Sequence, residues 1–233
     1  MILINEPFDF PKKSIIKLKK YGKVFTLKDK FKKENIKIIF IRLSEIINRD
    51  FLDKYPNLFI IVSPTTGLTH IDLLEIKNRK IILLSLKGKN SFLKNVFATS
   101  EYSVGLALTI LRKIPEAINS VYKSEWDRYP FKGKEINGSV VLIIGFGRIG
   151  KQVYKLYKSF GARVIAYDIN TKIVPKKIKT SLKKGISSAD IISIHIPFSD
   201  KNKNFLNYKL ISLAKKTAII INTSRGEIIN QRV

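Results

Sequence analysis

The stretch from Val140 to Asp168 constrains this chain more than any other. Val140 to Ile144 is an uninterrupted apolar run, the composition of a buried parallel strand. It leads directly into Gly145-Phe146-Gly147-Arg148-Ile149-Gly150 and then into a helical stretch, Lys151 to Phe160, which Gly161 ends. Arg163 to Tyr167 reads as a second strand and closes on Asp168. Each part of this strand–turn–helix–strand–acid series has a separate task. Gly145 permits the tight turn, Gly147 lets backbone approach a pyrophosphate, and Gly150 lets helix and strand pack closely. The helix N-terminus offers unpaired N–H groups and a partial positive charge to the phosphates. Asp168 lies 18 residues beyond Gly150, where a carboxylate accepts hydrogen bonds from ribose hydroxyls and repels a 2′-phosphate. The expected cofactor is therefore NAD rather than NADP.

Upstream, short apolar runs alternate with lysine-rich segments. Met1 to Ile4, Lys23 to Leu27, Ile36 to Ile41, Leu58 to Ser63 and Lys80 to Leu84 read as strands. Lys12 to Tyr21, Glu45 to Lys54 and Ile71 to Asn78 read as helices, with Ser44 as the expected cap of the second. Strands alternating with helices imply parallel pairing in an α/β layered domain. Ser100 to Tyr122 carries apolar residues at three- and four-residue steps, and Pro115 kinks it or divides it in two. Such a helix joins two domains. Glu125 to Lys134, with the lone Trp126, reads as a loop. Ile191 to Ile194 and Thr217 to Asn222 are further strands, and a weak one falls near Ile178.

Composition narrows the function classes. With no cysteine there is no disulfide framework, thiolate metal site or cysteine nucleophile, and two histidines are too few for a histidine metal cage. No run approaches the ~20 apolar residues of a membrane-spanning helix. Met1 to Phe10 has no basic lead, so a signal peptide is not expected, and the cytoplasm is the default compartment. The net charge of +26 would suit a nucleic-acid partner. Yet only 9 of the 44 basic residues are arginine, the better phosphate and base reader, and the lysines are spread through every segment. That pattern fits codon bias in an AT-rich genome better than a phosphate-binding surface.

The chain resembles the D-isomer-specific 2-hydroxyacid dehydrogenases. Beyond the glycine turn, Asp190 to Phe198 is similar to the family strand that ends in a His-x-Pro loop, here His195-Ile196-Pro197. Ile221-Asn222-Thr223-Ser224-Arg225-Gly226-Glu227 is similar to its catalytic-arginine motif, and Thr65 to Asp72 to its substrate-carboxylate loop. Ala98 to Glu101 is similar to the segment leading into its interdomain helix. The resemblance implies a flavodoxin-like substrate domain over residues 1–99 and a Rossmann-type, doubly wound NAD-binding domain over 100–233, with 100–122 as the interdomain helix. It implies reversible hydride transfer between NAD(H) and a small 2-hydroxy or 2-oxo acid, by a homodimer built partly on that helix. Arg225 is the implied catalytic cation, its planar fork suited to a carboxylate and a developing alkoxide. Thr66 and Gly67 are the implied partners of the substrate carboxylate. Gly145, Gly147, Arg148, Ile149 and Gly150 take the pyrophosphate and Asp168 the adenine ribose. Ile196 and Pro197 lie beside the adenosine, Thr223 and Ser224 near the nicotinamide, and Thr99 completes the set. Neither His195 nor His70 is the expected base; His70 is expected to cap a helix.

One departure from the family shapes the functional expectation. Its arginine motif is followed by a longer segment with a catalytic glutamate and histidine, and that pair has no counterpart here. Both domains are therefore expected to be incomplete at the C-terminus, with Thr217 to Asn222 an unpaired edge and turnover weak or absent. The alternative is a non-catalytic NAD-binding module of a regulatory or corepressor-like kind.

Overall fold

The computed structural model describes residues 1–8 and 10–231; Asp9, Arg232 and Val233 lie outside the described residues. The chain divides into two compact units, Met1–Leu93 and Lys94 onward.

The first unit is built on five parallel strands, β1 (Ile2–Ile4), β2 (Val24–Thr26), β3 (Ile38–Phe40), β4 (Ile60–Ser63) and β5 (Ile82–Ser85), in the order β2-β1-β3-β4-β5. That is the flavodoxin-like order. β1 is buried along its whole length because it lies between β2 and β3, with Ile2 opposite both Val24 and Ile38. Helices α1 (Lys12–Lys19), α2 (Arg49–Asp53), α3 (Leu73–Asn78) and α4 (Asn90–Leu93) accompany the sheet. Leu3, Ile39 and Ile61 are fully enclosed with Phe51 and Leu52 of α2 and Ile76 of α3.

Three expectations change here. Ser44 caps no helix; its N–H, with those of Arg42 and Leu43, donates to the Glu6 carboxylate. Residues 45–48 are drawn out of the helix because Ile47 pairs with Ile71, and α2 starts only after Asn48, whose side chain accepts from the Phe51 N–H at 3.0 Å. His70 is not the cap of α3. The α3 cap is Asp72, which accepts from the N–H groups of Leu74 and Glu75.

In the second unit the long apolar pattern is two helices, α5 (Ala98–Leu111) and α6 (Ile114–Tyr122). The division is made by Lys113, left-handed at φ 51°, with Pro115 in the first turn of α6 where its missing N–H costs nothing. The Glu125 to Lys134 segment is irregular apart from a single 3₁₀ turn at Tyr129–Phe131. Then follow β6 (Val140–Ile144), α7 (Arg148–Ser159), β7 (Arg163–Tyr167), α8 (Leu182–Ser188), β8 (Ile191–Ile194), α9 (Tyr208–Ile211) and β9 (Ile219–Asn222). The helix after the glycine turn thus begins at Arg148, inside the motif. The strand expected near Ile178 is reduced to one bridge, Ala166 with Lys179.

The four strands are parallel, in the order β7-β6-β8-β9. Side chains of β6 alternate between two cores, as strand geometry requires. Val141 and Ile143 pack with α5 and α7 through Val104, Ala107, Val153 and Tyr157. Leu142 and Ile144 pack with Ile186 of α8 and with Ile192, Ile194 and Leu206. Helices therefore cover both faces, and the sheet is doubly wound. Its order reverses direction at β6, which has β7 on one side and β8 on the other. Ligands of such folds bind outside the carboxyl ends of the strands at that point.

Candidate functional site

Because the strands of the second unit are parallel, all their carboxyl ends meet one edge. Four loops leave it in spatial order: Asp168 after β7, the glycine turn after β6, His195-Ile196-Pro197 after β8, and Thr223-Ser224-Arg225 after β9. Three inter-strand steps separate the first from the last, on the order of 14 Å at the usual strand spacing.

The glycine turn owes its shape to two crowded glycines and one open one. Gly145 has φ 94°, and a Cβ there would stand 2.7 Å from the His195 carbonyl oxygen and 2.9 Å from Ile196 Cγ2. A Cβ on Gly150 would collide with the Gly145 carbonyl oxygen, so α7 lies against the end of β6 as closely as backbone allows. Gly147 faces open space, with nothing within 4 Å of the Cβ position. It is the N-cap residue of α7 and supplies no side-chain cap, which leaves the first-turn N–H groups without an intrahelical partner. No acidic side chain occupies that turn. These are properties a diphosphate needs: open backbone, helix-end donors and no acidic side chain in the first turn.

Asp168 is built into the same turn. One carboxylate oxygen accepts from the Phe146 N–H at 2.7 Å and the other from the Asn170 N–H at 2.8 Å. The acid thereby braces the glycine loop as well as facing the edge, a double role that spacing in the sequence does not disclose. Each carboxylate oxygen keeps a second lone pair for a ribose hydroxyl.

At the far end, Asn222 organises the arginine loop. Its Oδ1 accepts from the Ser224 N–H at 3.0 Å and from the Ser224 hydroxyl, and its Nδ2 donates to the Arg225 carbonyl at 2.8 Å. Asn222 was not among the expected site residues, although its place between an apolar strand and a Thr-Ser-Arg run marks it as a turn former. Arg225 is half-buried, and its Nη1 donates to the Ser224 carbonyl at 2.9 Å. The Thr223 hydroxyl is buried with no hydrogen-bond partner among the described residues. An orphaned buried hydroxyl beside an open edge fits a ligand amide.

His195 points away from this chemistry. Its Nε2 is 2.8 Å from the Ser193 hydroxyl, which is 3.2 Å from that of Ser103 in α5. Burial pushes the imidazole pKa down to about 4, so it is neutral at pH 7 and held in a packed polar cluster. Burial also raises the phenol of Tyr157, in α7, well above its usual range.

The edge thus gathers Gly145, Gly147, Arg148, Ile149, Gly150, Asp168, Ile196, Pro197, Thr223, Ser224 and Arg225 on one unit. Thr99, half-buried, lies in the first turn of α5 in the same unit. Thr66, exposed, and Gly67, half-buried, belong to the other unit, in the loop after β4. There the Thr65 hydroxyl donates to the Gly67 carbonyl at 2.9 Å and lies 2.8 Å from that of Ser63. Among the described residues no cluster of three or more acids and histidines could hold a metal ion, and no helix is long and apolar enough to cross a membrane.

Comparison with known proteins agrees with this geometry. The D-3-phosphoglycerate dehydrogenase of Methanocaldococcus jannaschii is 32% identical over 203 residues, covering 84% of this chain and 37% of that protein. The glyoxylate reductase of Thermofilum pendens is 31% identical over 197 residues, covering 81% of this chain and 57% of its own length. The chain therefore spans roughly one third to somewhat over half of these relatives. The crystal structure of Aquifex aeolicus D-lactate dehydrogenase, complexed with NAD and lactic acid, superposes with a TM-score of 0.79 at 22% identity. That match covers 99% of this chain and 71% of that one and shows the shared fold. The family model of the D-isomer specific 2-hydroxyacid dehydrogenase NAD binding domain matches residues 104–233, the segment that holds the glycine turn, Asp168 and Arg225. With the turn, the acid and the arginine on one sheet edge and the family pattern running through all three, this chain belongs to the D-isomer specific 2-hydroxyacid dehydrogenases.

Proposed function

We propose that the chain serves an NAD-dependent oxidoreductase that interconverts a small 2-hydroxy acid and its 2-oxo acid. The observation that carries this reading is the placement of the open Gly147 turn, the Asp168 carboxylate and the Arg225 guanidinium along one carboxyl edge. Bound NAD(H) supplies or takes up the hydride. The protein's part is positional and electrostatic. The first turn of α7 holds the diphosphate, and Asp168 holds the adenine ribose and, by its charge, disfavours a 2′-phosphate. Arg225 offers a fixed, permanently charged fork to the acid's carboxylate and to charge developing on its C2 oxygen. Residues 1–99 make up the substrate domain in this proposal, with Thr66 and Gly67 as its substrate-binding residues. The setting is cytoplasmic.

The test is calorimetry of the folded chain with NADH, followed by titration of glyoxylate, hydroxypyruvate and pyruvate into the NADH complex, alongside an NADH-oxidation assay. NADH binds, and at least one acid binds only when NADH is present. Arg225→Ala keeps the cofactor affinity and loses the acid. Absence of NADH binding, or acid binding untouched by Arg225→Ala, would refute the proposal.

A homodimer forms part of the same reading. Ile114, Ile118, Val121 and Tyr122 of α6 are exposed together with Trp126, which is wholly solvent-accessible. An apolar band of that kind fits a second copy of the chain. Light scattering of Val121→Asp against the unaltered chain checks it, with a monomeric unaltered chain as the refuting outcome.

A further inference from the structure

Gln152 belongs to none of the motifs above, yet it makes the most complete set of polar contacts of any buried side chain in the second unit. It sits one turn after Arg148 on the same face of α7 and is only 9% exposed. Its Nε2 donates to the carbonyls of Lys94 at 3.3 Å and Val96 at 3.2 Å. Its Oε1 lies 3.2 Å from the fully buried hydroxyl of Ser100, whose single proton is shared with the Phe97 carbonyl at 2.6 Å. Both amide protons and the amide oxygen are thus engaged, which fixes the side chain's orientation. Arg148 reaches the same strip of backbone, its Nη1 donating to the Val96 carbonyl at 3.0 Å.

The strip they hold, residues 94–97, has no regular secondary structure and leads into α5, whose first turn carries Thr99. Left alone, such backbone is held only by solvent and frays readily. Here two side chains of the dinucleotide helix hold it from a distance of 52 to 58 residues in the sequence.

We propose that Gln152 is a positioning residue: it ties the start of α5 to the first turns of α7, so that the cofactor meets a frame already assembled. The proposal rests on the NAD reading given above. Its chemical requirement is specific. A glutamate at 152 would set a carboxylate oxygen against two carbonyl oxygens. A methionine would keep the volume and lose all three contacts.

The experiment compares the unaltered chain with Gln152→Met and Gln152→Glu by calorimetry with NADH and with AMP, and by amide hydrogen exchange. AMP lacks the nicotinamide half of the cofactor and serves as the internal control. Both variants are expected to exchange about tenfold faster at residues 98–101 and to bind NADH about tenfold more weakly, with AMP affinity unchanged, as loss of buried hydrogen bonds implies. Unaltered exchange and NADH affinity in Gln152→Met overturn the proposal, as does an equal loss of AMP and NADH, which would mean general damage. If neither Gln152 variant folds, Ser100→Ala is expected to move exchange and NADH affinity the same way by about threefold, and no movement overturns the proposal. An unaltered chain that binds neither ligand refutes the function proposed above. The exchange measurement then still decides the tether by itself.

Discussion

Two neighbouring glycines should respond to the same substitution in opposite ways. In Gly145→Ala the new methyl meets backbone, 2.7 Å from the His195 carbonyl oxygen and 2.8 Å from its carbon, and the residue must keep φ near 94°. The positive φ costs an L-residue about 1–3 kcal/mol. Forcing a methyl against atoms that cannot rotate away costs another ~1–3 kcal/mol. The second unit should lose about 2–6 kcal/mol, a large share of a typical domain's 5–15 kcal/mol. In Gly147→Ala the methyl meets nothing within 4 Å and φ is −72°, so stability should change by no more than ~0.5–1 kcal/mol. That methyl does, however, stand where backbone must approach the diphosphate, and NADH affinity should fall by about tenfold or more. Urea titration followed by circular dichroism reads the first effect and calorimetry with NADH the second. A Gly145→Ala chain with an unchanged midpoint, or a Gly147→Ala chain with unchanged NADH affinity, would refute this division of labour.

The other predictions concern charge. His195 is neutral when folded down to about pH 4, whereas unfolded histidine takes up a proton near 6.5. Stability should therefore decline as pH falls from about 6.5 to 4, by up to ~3 kcal/mol, and His195→Gln should remove that component from the stability–pH curve. The Asp190 carboxyl is held below its usual range, first by Lys215 at 2.8 Å and then by the Val140 N–H at 2.8 Å. Its contribution is complete above the ordinary carboxylate pKa and vanishes as acid titrates through the lowered value, so Asp190→Asn should flatten the acid limb of the same curve. Asp168→Asn removes the charge and one of the two carboxylate acceptors that hold the N–H groups of Phe146 and Asn170. NADH affinity should drop roughly ten- to a hundredfold by calorimetry, the scale of a hydrogen bond to a charged group.

The parts of this fold that could be read in the letters are those decided by near neighbours. The run Val140 to Ile144, three glycines and an acid after the next strand needed no distant partner to be recognised, and β6, α7 and β7 formed there. Pro115 foretold the break after α5 because its ring acts on the residues beside it. The misses have the opposite character. Whether Ser44 or Asn48 caps α2 depends on Ile47 pairing with Ile71, which no local pattern reveals. Asp72 displaced His70 as a cap for the same reason, since that pairing fixes where α3 begins. Helices α8 and α9 were not foreseen: they are short, and the first carries Gly185 mid-helix, where only its lack of a side chain lets it approach Leu142. At the sheet edge, sequence order singled out Asp168 and Arg225 but not Asn222 or Gln152, whose contacts belong to no motif.

The neighbours of β6 also bear on how the protein is made. Its partner β7 leaves the ribosome soon after it, but β8 and the loop after it, which supplies the carbonyl crowding Gly145, are translated much later. A nascent chain halted after β7 would own every glycine of its nucleotide motif and still lack the wall that shapes the turn. The first unit, whose five strands all precede Lys94, has no such wait and can settle while the second is still being synthesised.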